Sequence, residues 1–244
     1  MTGPKIYFTI PLFGGIPITQ TVVSSFLVMV CLCIAGILLG RNLQKRPSRR
    51  QVLVEKGVSM LYGMVEDTMG KHNSYWTPYI GALFLSSILG SYIGMTGIFR
   101  SATADLSTTV TWALMTSFLC WGCSIKANGV LGWLKGFTEP IVVMTPMNLV
   151  SEIAQPISMA FRHFGNIASG MVISTLVYAA LTVANQALFG LLPGLLGDIL
   201  GSIPFLTVGV PAFLSLYFDW FSSFMQAFIF CMLTTLYIAN AAEE

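Results

Sequence analysis

Residues 155–170 read QPISMAFRHFGNIASG, and this stretch decides what kind of chain this is. Arg162 stands in it, after Pro156 and ahead of a run of 34 residues between His163 and Asp198 that carries no formally charged side chain. At 1.5 Å per residue, a continuous helix over that run is about 50 Å long, against roughly 30 Å of bilayer hydrocarbon. The run predicts membrane helices that tilt steeply or break. An unpaired arginine at such depth costs about 2.5–3.5 kcal/mol on insertion scales, so it needs a reason beyond packing. Snorkelling to the headgroups, or an ion pair locking two helices, is the bland reading.

The neighbours of Arg162 argue against it. Gln155, Arg162 and Ser169 recur every seven residues, and Ser158 and Asn166 each stand four from the arginine, so polar groups crowd one side of a helix. Glu152 lies close to the same stripe, nearly three turns away. A stripe of this kind is costly against lipid and should face protein or water. The last apolar segment has a counterpart in Asp219, Ser222, Ser223 and Gln226, spaced three, four and seven apart. A carboxylic acid buried at that depth takes up and releases a proton according to its surroundings, which suits Asp219 to an ion path.

Composition agrees with a membrane protein. Of 244 residues, 55% are hydrophobic and 9% charged, where a soluble domain has about 25% charged. Twelve bases and ten acids, with no basic stripe, exclude a nucleic-acid surface. The five cysteines lie in apolar runs, and Cys120-Trp121-Gly122-Cys123 has neither a second pair nor a nearby histidine, so packing is expected and no metal or cofactor. No phosphate-cradling Gly-rich loop occurs, so no nucleotide chemistry is expected of this chain.

The expected architecture is an all-α integral membrane protein with five crossings and one interfacial amphipathic helix. The crossings are read at 20–40, 77–98 and 106–125, followed by two long, steeply tilted helices at 140–190 and 198–240 joined by the turn GLLPGLLGDILGSIP. The segment 51–70 carries Glu55, Lys56, Glu66 and Asp67 opposite an apolar stripe, which places it along the interface. The link from Arg41 to Lys71 holds seven Lys/Arg and the link from Lys126 to Lys135 two, whereas the N-terminal tail has only Lys5 and the third link only Arg100. The basic side faces the cytoplasm, so the N-terminus is read as outside and the C-terminus as inside.

The stretches KGFTEPIVVMTPMNLVSEIAQPISMAFRHFGNIASG and QAFIFCMLTTLYIA, with ADLSTTVTWAL and the Arg41–Glu55 link, resemble subunit a of F-type ATP synthases. The resemblance covers most of the chain, and FRHFGN together with QAFIF is specific. It implies the ion-translocating stator subunit, with two offset half-channels that load and unload protons or sodium ions on the carboxyls of a rotating c-ring. It also implies peripheral-stalk b subunits, an F1 ATPase sector and membrane lipid as partners, and a bacterial plasma membrane as location. Arg162 aligns with the family's essential arginine, Asn166 with an asparagine one turn later, Gln226 with a glutamine on the final helix, and Glu152 with an upstream acid. Met171 stands where many relatives have glutamate, and Asp219 where some have histidine and others glutamate. A secondary transporter or channel binding an anionic substrate at Arg162 is the rival reading; the chain shows no internal repeat of the kind transporter folds carry.

Overall fold

The structure is a computed structural model, and it describes residues 6–11, 15–41, 43–139, 141–189 and 213–243. The described residues are predominantly helical. They comprise helices α1 (Gln20–Gly40), α2 (Arg49–Met69), α3 (Thr77–Tyr92), α4 (Leu106–Gly136), α5 (Thr145–Phe189) and α6 (Ser223–Glu243). Short 3-10 turns link several of them, and a π-helical stretch, Leu216–Ser222, leads into α6. The turn GLLPGLLGDILGSIP, and the start of the helix read at 198–240, lie outside the described residues.

Among the described residues, four segments are long and apolar enough to cross a bilayer: Gln20–Gly40, Lys71–Thr96, Val142–Leu188 and Phe213–Ala242. Helix α4 is 31 residues long, but its apolar side chains are diluted by serines and threonines and, in its second half, by Lys126, Asn128 and Lys135. The helix read at 106–125 runs on to Asn128, and a second helical stretch follows Gly129. Gly129, at φ 71°, kinks the rod there, a backbone angle that a glycine adopts without steric cost. A second departure from an all-helical reading is a small antiparallel hairpin, β1 (Ile6–Ile10) with β2 (Ile16–Thr19), turning near Gly15 at φ 93°. Ile6, Tyr7 and Phe8 are all exposed, so its first strand lacks the in-and-out alternation by which a half-buried strand is recognised.

Side-chain chemistry explains why the helices end and pack where they do. Ser48 caps α2 by accepting from the Gln51 amide, and Gly70, at φ 75°, closes that helix with its amide on the Glu66 carbonyl. Asp105 caps α4 through the Ser107 amide at 3.1 Å, while its other carboxylate oxygen accepts from Thr21 Oγ at 2.6 Å and ties α4 to the start of α1. Helix α5 continues through Pro156 for 45 residues, a rod of about 67 Å, which exceeds any bilayer unless tilted.

The core lies where α2, α3, α4, α5 and α6 converge, around Val65, Met69, Ile80, Leu83, Ala113, Met159, Phe230 and Ile238. Much of what is buried is small. Ala227, Cys231, Thr234 and Thr235 are fully covered along α6, and Thr234 meets Thr116 of α4 at 3.4 Å. Small side chains let helix backbones approach closely where lipid supplies no hydrophobic drive, and the bulky Leu, Ile, Val and Phe side chains face outward in numbers. Threonine and serine hydroxyls in this core bond back to carbonyls of their own helix, as Thr116 does to Trp112 and Thr235 to Cys231.

Candidate functional site

Arg162 is exposed on the flank of α5, beside a narrow crevice lined by Met159, His163, Gln226, Ile229, Phe230 and Leu233. The packing of α5 on α6 thus brings Arg162 and Gln226 to the same crevice, although 64 positions separate them (226 minus 162). Among the described residues, no carboxylate forms an ion pair with Arg162. The guanidinium faces the outside of this chain.

Along α5, polar residues on either side of Arg162 fall into two regions. Toward the N-terminal end of α5, Glu152 and Gln155 line a cavity of about 1230 Å³ together with Trp121, Ser124, Asn128, Asn148 and Asn240. Its other walls include Lys135 and Glu139, so it belongs to the side of the molecule that carries the link from Lys126 to Lys135. Glu152 accepts a hydrogen bond from the Trp121 indole N–H, which fixes one carboxylate oxygen and leaves the other with acceptor capacity. The contact joins α4 and α5 across 31 residues of sequence.

Toward the C-terminal side of Arg162 the packing is closer. Asn166 Nδ2 donates to Ser222 Oγ at 2.6 Å and makes a longer contact with the Ser222 carbonyl at 3.4 Å. Asp219 is half-buried, with the Ser215 hydroxyl beside it. Both Asp219 and Ser222 belong to the π-helical stretch, whose wider turn breaks the three-and-four spacing of an α-helix. A Cβ on Gly170 would lie 3.4 Å from Phe218, ordinary close contact, so α5 and this stretch are already near. Ser169 is exposed and donates to the Asn166 carbonyl at 3.1 Å, while Ser158 is exposed and lines neither cavity. Met171 offers no acid; its carbonyl accepts from Thr175.

The structure also gathers residues that the sequence pattern does not single out. His163 is 1% exposed, with Nε2 3.2 Å from Ser87 Oγ of α3 and its ring edge-on to Trp112 and Phe230. Tyr92 donates its hydroxyl to the Trp220 carbonyl at 3.1 Å. Neither contact is legible from helical periodicity, because each joins residues of helices far apart in sequence. Among the described residues, no group of three His, Cys, Asp or Glu is placed to hold a metal ion.

Two polar regions thus lie on either side of an outward-facing arginine on α5. The family described as ATP synthase A chain matches residues 22–239. This chain belongs to that family. ATP synthase subunit a, sodium ion specific, of Propionigenium modestum is 33% identical, the match covering 99% of this chain and 86% of that protein. ATP synthase subunit a of Moorella thermoacetica is 32% identical over 93% of this chain and 92% of its own length. ATP synthase subunit a 1 of Hahella chejuensis is 29% identical, covering 95% and 87%. As a member of the ATP synthase A chain family, the protein is a multi-pass, non-catalytic membrane subunit whose role is ion translocation in the stator.

Proposed function

We propose that Arg162 is the electrostatic divider between two half-channels that deliver ions to, and collect them from, carboxyls on a ring of small rotating subunits. The observation that carries this is the exposed guanidinium at the α5–α6 crevice, without an ion-pair partner among the described residues and with separate polar regions on either side.

The cavity lined by Glu152 and Gln155 is the inner half-channel. The Asn166, Ser222, Ser215 and Asp219 group is the wall of the outer one, with Ser169 at its exposed margin. Ser158 stands between Gln155 and Arg162, toward the ring. In this orientation the chain crosses a bacterial plasma membrane five times, with α4 as the fifth crossing, the N-terminus outside and the C-terminus in the cytoplasm. Helix α2 lies along the interface, and α5 and α6 cross at a steep tilt. That topology puts nine Lys/Arg inside and two outside, counting all but Arg162 of the twelve. The ring, peripheral-stalk b subunits and the F1 sector are its partners, together with lipid.

Elementary electrostatics accounts for the roles. A guanidinium stays protonated at every physiological pH, so it cannot itself pass the proton from one side to the other. Two unit charges about 4 Å apart attract by roughly 4 kcal/mol at an effective dielectric near 20, equivalent to about three pKa units on a ring carboxyl. A carboxyl arriving at Arg162 therefore gives up its ion, and once reloaded it can re-enter lipid as a neutral group. The attraction has to remain breakable, which favours an arginine exposed toward the ring over one fixed in a buried pair. Gln226 shares the crevice with Arg162 and can hydrogen-bond either charge while staying neutral.

The test is Arg162→Ala in the complete complex in inverted vesicles. The expected result is retained assembly with ion-driven ATP synthesis lost by at least about a hundredfold. Near-normal coupled synthesis would overturn the assignment.

A further inference from the structure

The residue next to Arg162 is the most enclosed ionisable group on α5. His163 is walled by α3, α4 and α6: Ser87 at 3.2 Å from Nε2, the Trp112 ring at 6.0 Å and the Phe230 ring at 5.5 Å between centroids. Its Nδ1 is buried and has no hydrogen-bond partner among the described residues. Helices α3 and α5 scarcely pack on one another otherwise, so the bond between Ser87 and His163 is a local pin between helices that are not extended neighbours.

Ser87 is itself held in place. It is wholly buried, and its carbonyl accepts from Ser91 Oγ at 2.9 Å. Ser91 Oγ lies 2.8 Å from Thr103 Oγ, Thr103 Oγ lies 2.8 Å from Ser101 Oγ, and Ser101 donates to the Gly90 carbonyl. All of these side chains are buried. A hydroxyl network therefore runs from the short link before α4 to the imidazole beside Arg162.

Consecutive residues on an α-helix point about 100° apart. With the imidazole pinned inward, the direction of the Arg162 side chain from the axis of α5 is fixed; with it loose, α5 can roll. A helix with side chains is about 10–12 Å across, so a roll of roughly 20° moves a group at its rim by about 2 Å. Misplacement by about 1 Å can cost on the order of a hundredfold where the reaction depends on geometry.

We infer that His163 is a positioning residue: through its hydrogen bond to Ser87 it sets the angle at which α5 presents Arg162 to the ring. The inference rests on Arg162 being the ring-facing charge. It requires no proton transfer by the imidazole; the pin is a neutral hydrogen bond.

The measurement is ATP-driven ion pumping per ATP hydrolysed, in the whole complex reconstituted in vesicles, with ring retention scored on the same preparations. Ser87→Ala removes the partner with little change of volume, His163→Leu keeps apolar contact with Trp112 and Phe230, and His163→Gln can still bond Ser87 but cannot titrate. The expected result is a roughly tenfold lower pumping ratio for Ser87→Ala and for His163→Leu at unchanged ring retention. The double variant should be no worse than His163→Leu, and His163→Gln should recover to within about threefold of the parent. A folding defect alone would lower ring retention and leave the ratio in surviving complexes unchanged. If His163→Leu fails to hold the ring, Ser87→Ala decides. A parental ratio in Ser87→Ala, multiplicative losses in the double variant, or a His163→Gln as poor as His163→Leu would each overturn the inference. Arg162→Ala run alongside separates the two levels: coupling kept there overturns the reading of Arg162, whereas coupling lost there with Ser87→Ala at parental level overturns only the role of His163.

Discussion

The two polar regions on either side of Arg162 are built differently. The one at Glu152 is a wide cavity of about 1230 Å³ whose walls come from α4, α5 and α6 and hold many polar groups. The one at Asn166 is closely packed, with a 2.6 Å bond from Asn166 to Ser222 and with Asp219 on a π-helical stretch. A space roomy enough for many waters tolerates loss of one polar group because water replaces it. A tight one does not, since each partner left unsatisfied bears its own desolvation cost of about 1–3 kcal/mol.

That contrast sets an order of effects. Asp219→Asn should be the most damaging substitution in either region, lowering passive ion flux and ATP synthesis about tenfold or more; a flux equal to that of Cys120→Ala would remove Asp219 from the path. Asn166→Leu should come next, at about three- to tenfold, with part of the loss recovered in Asn166→Gln, and identical losses for the two would indicate a steric role only. Glu152→Gln should lower ATP synthesis by no more than about twofold, because the Gln still accepts from Trp121 and the cavity stays polar. A tenfold loss there would erase the difference between the two regions.

The smallest effect concerns Asp105, outside the membrane-crossing segments. Burial pushes its pKa up, but hydrogen bonds from Thr21 and Ser107 and the nearby Arg100 outweigh it, so the pKa sits below the ordinary value of 3.8. A folded pKa below the unfolded one means that the stabilisation is present above the unfolded pKa and is lost as pH falls through the folded pKa. Thermal melts of the complex should therefore lose this contribution only below about pH 4, and Asp105→Asn should lower the melting temperature by a few degrees at pH 7 while flattening that acid-side dependence. An unchanged acid limb in Asp105→Asn would remove Asp105 as its source.

What can be read from the sequence is what depends on local composition. A charge inside an apolar segment stands out by itself, and so do the motifs that place the chain in its family and the long uncharged runs that make it a membrane protein. Contacts between distant helices leave no such trace. Trp121 and Glu152 are 31 residues apart and Ser87 and His163 are 76, so neither partnership follows from spacing on one helix. The stripe through Asp219, Ser222 and Gln226 assumes one unbroken α-helix, whereas the chain is π-helical up to Ser222 and shifts phase there. Gly129 is non-helical at φ 71°, so two helical stretches meet across it within α4. The hairpin escapes a reading by periodicity because its first strand, IYFTI, holds a single clearly polar residue, Thr9, too little alternation for a two-residue period to detect.

The central claim, two aqueous routes kept apart by Arg162, is tested most directly by sided labelling of single cysteines placed in a cysteine-free background at Gln155 and Ser222. Membrane-impermeant thiol reagents should reach position 155 only from the cytoplasmic face and position 222 only from the outer face, each blocking ion flux. Labelling of both positions from the same face would contradict the account.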